Sequence, residues 1–302
     1  MTGNSPEPRA RLLKSPRVIA RDCRDILGEG LLWSARDNAL YWTDIIGQKL
    51  WRLSFADDHI SHWTMPETIG WIIERAAGGF VVGLKSGFHA LSLDPFQLTP
   101  IANPHPERPE NRLNDAKADR WGRIWAGSMI HAPQPASDWP STGALYRLDP
   151  GGQVTRHDDG ITIANGPAFS PDGRTLYHTD SRAGLVWKFA LADDGSLGPR
   201  QLHLSFDGRG GAPDGMTCDR DGGLWIAFYN GARVARFHPN GQLDRHIDLP
   251  TPQITNVCFA GAALDRMFVT SAGDGRDDDP FAGVLFEVDS GAIGLPPHAS
   301  HA

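Results

Sequence analysis

The sequence predicts an all-β chain folded as a six-bladed β-propeller with four-stranded blades, and three observations carry that expectation. A unit made of a tight turn, an aromatic-rich strand, a polar break and a second alternating strand recurs six times along the chain. The copies are spaced by about 40 to 52 residues, the length of a four-stranded blade. No segment carries a sustained 3.6-residue apolar stripe with caps at both ends, which removes the strand–helix alternation of a nucleotide-binding sheet. Composition agrees: 34 Gly, 23 Pro and 10 Trp suit many short strands joined by tight turns.

The copies can be read in order. The first is Asp37-Asn38-Ala39-Leu40-Tyr41-Trp42-Thr43, followed by Gly47 and a strand from Lys49 to Phe55; the second is Gly78 to Gly83, then Gly87 and Phe88 to Leu93. The third runs Trp121 to Gly127, then Gly143 and Ala144 to Leu148. Asp172 to Tyr177, Asp221 to Ile226 and Asp265 to Thr270 open the last three, continued by Gly184 to Phe189, Gly231 to Phe237 and Gly283 to Val288. Six turns in phase are hard to reconcile with Asp-Gly turns scattered through an ordinary β protein. One propeller domain over residues 16–295 is therefore expected, with mobile ends at 1–15 and 296–302, both polar or Pro-rich.

Bulk properties narrow the partners. Lys plus Arg total 29 against 36 for Asp plus Glu, a net charge of -7 that repels a phosphate backbone, so nucleic acid is excluded as a partner. Cys23, Cys218 and Cys258 are odd in number and widely separated, which indicates neither a disulfide framework nor a zinc knuckle. With no apolar run of signal-peptide or membrane-spanning length, a cytoplasmic protein that inserts in no membrane is expected. No protein partner is predicted.

The repeat also sorts the polar residues, because the innermost strand of each blade lines the central channel. Counting back ten or eleven positions from Leu40, Phe80, Ile124, Leu176, Leu224 and Met267 lands on Glu29, Ile69 or Gly70, Asn114, Asn165, Asp214 and Asn256. Carboxylates and amides converging in a channel are costly to desolvate unless a cation or a hydrogen-bond network satisfies them. Oxygen donors without Cys or a His pair favour Ca²⁺, Mg²⁺, Mn²⁺ or Fe²⁺, with Zn²⁺ less natural. The same Asn and Asp residues also read as turn caps at each blade's entrance, and spacing alone leaves both readings open. Arg112 has a rationale of its own, since a guanidinium binds sugar hydroxyls or a charged carbonyl oxygen; a salt bridge to Asp115 or Asp119 is the alternative.

Four local motifs then carry a resemblance: Leu27-Gly28-Glu29-Gly30 followed by Trp33, Asn111-Arg112-Leu113-Asn114-Asp115, Ala164-Asn165-Gly166-Pro167, and Ala212-Pro213-Asp214-Gly215-Met216. From about Glu29 to Val288 the chain resembles the senescence marker protein, gluconolactonase and luciferin-regenerating enzyme family, also called the regucalcin family. The resemblance implies one divalent metal held by Glu29, Asn165 and Asp214, and substrate contacts from Arg112 and Asn114. Some members place an acidic substrate-contacting residue shortly after the segment that here reads Gly127-Ser128-Met129. This chain has Ile130 and His131 instead, which opens the question of its substrate. The Pro-rich stretch 131–140 reads either as a lid over the channel mouth or as a plain surface loop.

The function expected from these readings is hydrolysis of a sugar lactone, such as a gluconolactone, xylonolactone or arabinonolactone, to the aldonic acid. A bound cation would polarise the carbonyl, and Asp214 is the candidate base, acting through position more than basicity. No Gly-x-Ser-x-Gly elbow, Cys-His pattern, His-Glu-x-x-His or phosphate-binding loop competes. Asp274 to Asp279 lacks the spacing of a calcium loop and reads as a solvated loop. A non-catalytic calcium-binding or regulatory protein, and a propeller hydrolase of non-sugar lactones or esters, are the alternatives; a propeller serving purely as an interaction scaffold ranks last.

Overall fold

The computed structural model describes residues 16–131 and 138–302; residues 1–15, expected as a mobile extension, lie outside the described residues. Among the described residues the named elements are all strands. The 24 strands, β1 to β24 in chain order, form six four-stranded antiparallel sheets. Five blades are sequential meanders, spanning residues 28–64, 69–102, 111–161, 164–205 and 212–248. The sixth joins β22 (Ile254–Ala260), β23 (Arg266–Ser271) and β24 (Leu285–Val288) to β1 (Arg17–Ile19), whose residues pair Arg17 with Glu287 and Ile19 with Leu285. Strands from the two ends of the fold thus share one sheet, with β1 as its outermost strand, and close the ring.

The six two-strand copies seen in the sequence are the second and third strands of the blades. Their anchors Leu40, Phe80, Ile124, Leu176, Leu224 and Met267 fall in β3 (Ala39–Asp44), β7 (Phe80–Leu84), β11 (Ile124–Ile130), β15 (Thr175–Asp180), β19 (Leu224–Tyr229) and β23. All six are buried. Alternating side chains from each sheet meet those of the next blade, giving six apolar clusters, one per blade interface. Trp42, Trp71, Trp125 and Trp225 are among the largest fully buried side chains. Their apolar area accounts for the aromatic richness of the repeat.

Residues 296–302, expected to be a mobile tail, are instead folded against the ring. Ser300 is completely buried; its N–H donates to the Glu74 carbonyl at 2.7 Å and its carbonyl accepts the Ala76 N–H at 2.8 Å. His301 N–H donates to Gly122 O at 2.9 Å, and Arg75 Nε to Ala302 O at 2.7 Å. Composition hid this because the anchoring groups are mostly backbone. Each such bond contributes about 1 kcal/mol net. Deleting 296–302 is therefore expected to lower the melting temperature by roughly 5 °C or more, read by thermal unfolding; an unchanged midpoint would show that the tail adds nothing.

Candidate active site

The inner strands β2 (Gly28–Ser34), β6 (Ile69–Glu74), β10 (Asn111–Ala118), β14 (Ala164–Phe169), β18 (Ala212–Cys218) and β22 pack side by side around the axis. Each carries a register shift against its second strand: Glu29/Leu32, Ile69/Trp71, Leu113/Ala116, Asn165/Ala168, Pro213/Met216 and Ile254/Val257. These breaks fall at or beside the residues that share a repeat phase. A bulge re-aims side chains and frees the strand from strict alternation, so polar groups turn into the channel where the ladder is interrupted. In the second blade the position is Gly70, where an added Cβ would collide with the Asn114 carbonyl. The neighbouring strand runs too close there for any side chain, and this blade supplies no polar group.

Glu29, Arg112, Asn114, Asn165 and Asp214 come together as the floor of a cavity of about 870 Å³ at one end of the channel. All five are buried. Arg112 Nη1 donates to Asn114 Oδ1 at 2.6 Å and to the Leu113 carbonyl at 3.0 Å. Asn114 Nδ2 donates to Asn165 Oδ1 at 2.6 Å and to Ala164 O at 2.8 Å, while Asn165 Nδ2 donates to Ser181 Oγ at 2.9 Å. Arg112 makes no salt bridge to Asp115 or Asp119; Asp119 is taken by Arg123 Nε at 2.6 Å and Trp125 Nε1 at 2.9 Å. The amide chain fixes the guanidinium on the floor and leaves its other nitrogens toward the cavity.

Asn256, also at the repeat phase, lies beneath the floor: its Nδ2 donates to Glu29 Oε2 at 2.7 Å and, at 3.4 Å, to Asp115 Oδ2. Asp115 is the residue that repeat phase does not find. Strict alternation turns Asn114 inward and Asp115 outward, but the bulge at Leu113/Ala116 brings both to the axis. Its carboxylate accepts the Ala116 N–H at 2.7 Å.

The electrostatics of the floor are unusual among the buried carboxylates. Asp219 is satisfied by Arg236 Nε at 2.6 Å, Trp225 Nε1 at 2.9 Å and the Gly223 N–H at 2.8 Å. Asp214 Oδ1, by contrast, is buried with no hydrogen-bond partner. Burial first, then repulsion from Glu29 and Asp115, pushes the Asp214 carboxyl well above the usual range. Burial, reinforced by Asp115, likewise raises Glu29 to about 8. Burial lowers Arg112 to about 10 against the pull of Glu29 and Asp214, so it stays charged at neutral pH. With Lys117 offsetting Asp115, the Glu29–Asp214 pair faces a single guanidinium, a deficit of positive charge in a desolvated place. Among the described residues no three His, Cys, Asp or Glu side chains are grouped as a metal centre. A cation on this floor would draw on two carboxylates and the amide oxygen of Asn165.

The walls are mostly apolar, with Ile45, Ile46, Met129, Ile130, Ile163 and Phe206. His131 and Trp139 line the cavity from the 131–140 segment, whose residues 132–137 lie outside the described residues. Burial and the nearby Arg112 and Lys85 lower the His131 imidazole. At the opposite end of the channel a cavity of about 280 Å³ is covered by Leu295 to His298.

Fold and floor together define a class: a closed six-bladed propeller with an open, carboxylate- and amide-lined cavity on its axis. The description "SMP-30/Gluconolactonase/LRE-like region" matches residues 27–273, and the chain belongs to that family. It is 36% identical over 267 residues to a 6-deoxy-6-sulfogluconolactonase of Pseudomonas putida, covering 86% of this chain and 90% of the relative. Among solved structures it is similar to a luciferin-regenerating enzyme, with TM-score 0.88, 29% identity and coverage of 94% and 98% of the two chains. A calcium-binding protein, regucalcin, from Agrobacterium tumefaciens gives TM-score 0.87 at 25% identity, covering 94% and 97%. Among the described residues no helix is long and apolar enough to cross a membrane.

Proposed function

We propose that the chain is a metal-dependent lactonase that opens a sugar lactone to its aldonic acid. One observation carries the reading: Asp214 presents a buried, unpartnered carboxylate oxygen beside Glu29 at the bottom of a cavity of about 870 Å³. That pair has the one Arg112 guanidinium against two carboxyls and has room for a small substrate above it. The lactonase among the relatives supports the reaction class, and the likeness to a calcium-binding protein, regucalcin, supports a divalent cation.

The residues fit such a cation. Glu29 and Asp214 would supply carboxylate oxygens and Asn165 its amide oxygen, a hard-donor set suited to Ca²⁺, Mg²⁺, Mn²⁺, Fe²⁺ or Zn²⁺. When bound, the cation would act as a Lewis acid toward the lactone carbonyl. Arg112, pinned through Asn114, directs its free donors at the oxygen on which charge develops. Asn114 also lines the cavity and keeps Arg112 and Asn165 in register. Asp214 holds the attacking water and accepts its proton as the new C–O bond forms. The ring C–O bond then breaks, the ring oxygen takes that proton, and the acid leaves. The apolar walls limit competing water.

The test strips the protein with a chelator and follows acid release from gluconolactone, xylonolactone and arabinonolactone, restoring each cation in turn. Turnover that returns with one or more cations is the expected result. Tight cation binding without turnover of any lactone would replace this reading by that of a calcium-binding protein.

A further inference from the structure

The turn between β15 and β16 (Leu185–Ala190) carries Ser181 and Arg182. Ser181 is buried and accepts the Asn165 amide N–H at 2.9 Å, which ties the turn to the cavity floor. Arg182 follows it directly in sequence and also lines the cavity. Its side chain is exposed and, among the described residues, has no hydrogen bond or ion pair. Every other charged group of the cavity is placed differently. Arg112 is buried beside Glu29 and Asp214. Asp207, in the loop after the same blade, accepts the Arg209 N–H at 3.0 Å and faces the Arg209 guanidinium at 3.5 Å. Asp274 belongs to the sixth blade, and burial lowers His131 toward its neutral form.

An unpaired guanidinium on a wall that is otherwise largely apolar presents the fork of donors that oxyanions accept. A lactone held by its carbonyl on the floor has its far end among the cavity walls, where Arg182 is the lining arginine outside the floor. We infer that Arg182 is a specificity-determining residue that selects lactones bearing an oxyanion group, a phosphate or a sulfonate, at the end remote from the carbonyl. The inference rests on the lactonase reading above and names a substrate class within it.

The test compares kcat/KM for gluconolactone, a 6-phosphorylated gluconolactone and a 6-sulfonated gluconolactone, with the parent, Arg182→Gln and Arg182→Glu. The parent is expected to favour one or both anionic lactones by about 10-fold or more at low salt, with the preferred arm identifying the group. Arg182→Gln lowers the anionic-to-neutral ratio by about 10-fold, carried by KM, and Arg182→Glu lowers it further; raising the salt compresses the difference. A ratio unchanged in both variants, or no preference in the parent, overturns the proposal. If no lactone is turned over, the lactonase reading fails, and titration of 6-phosphogluconate against gluconate decides the role of Arg182 separately. Preference for the phosphorylated acid that disappears in Arg182→Gln upholds it, and equal binding by parent and variant refutes it.

Discussion

Asp214→Asn is expected to lower lactone hydrolysis by about 1,000-fold or more while leaving the metal-free protein at least as stable as the parent. The two halves of this expectation have one cause. Asp214 sits in a desolvated floor beside Glu29 with one oxygen unpartnered, and the single Arg112 guanidinium only partly offsets the charge of the pair. The amide keeps the shape, removes the repulsion and gives Glu29 a donor, which relieves a buried like-charge contact. The same change removes the proton acceptor for the attacking water and an anionic ligand for a cation. Steady-state kinetics with saturating cation and thermal unfolding in chelator separate the effects. A carboxylate that served only to hold the fold, as Asp219 does through Arg236, Trp225 and Gly223, would show the opposite pattern: lower stability, with activity lost only in proportion to unfolding.

That contrast between Asp214 and Asp219 marks how far the sequence can be read. The repeat reported the six blades because each second strand is buried on both faces between neighbouring blades, and that demand writes a short apolar, aromatic-rich run bounded by turns. Axial residues followed from the same phase, and Glu29, Asn114, Asn165 and Asp214 do meet on the floor. Asp115 escaped because a bulge suspends alternation at that point, and bulges leave no period of their own. Closure by β1 escaped for a different reason: three residues pairing with a strand some 270 positions away carry no local signal. The tail, held by backbone groups of Ser300 and His301, is invisible to side-chain patterning. Arg182 lies in a turn, where neither phase nor propensity distinguishes a ligand from a solvated cation. Recognition residues on loops are set by what faces them across the cavity, which only coordinates supply.

In the absence of divalent cation, stability is expected to fall as the pH rises from about 5 to 8, and added cation is expected to reverse that trend. Glu29 moves from its ordinary 4.5 to about 8 on folding, driven by burial and then by Asp115, and Asp214 moves in the same direction. A carboxyl with a raised folded pKa binds its proton more tightly in the native chain. Its favourable contribution is complete below the unfolded value and is lost as the pH climbs through the folded one. For Glu29 alone the loss is bounded at roughly 5 kcal/mol by the size of the shift. A divalent cation binds the ionised carboxylates and competes with those protons, so its stabilisation grows over the same window. Melting temperatures at pH 5, 6.5 and 8, with chelator and with cation, give four slopes when parent and Glu29→Gln are compared. The parent alone should show the steep cation-free decline and the larger cation rescue at pH 8. A parent slope that matches Glu29→Gln under both conditions would mean that the floor ionises as freely as an exposed carboxylate. The argument for a cation built on its charge deficit would then fail, whatever the activity of the enzyme.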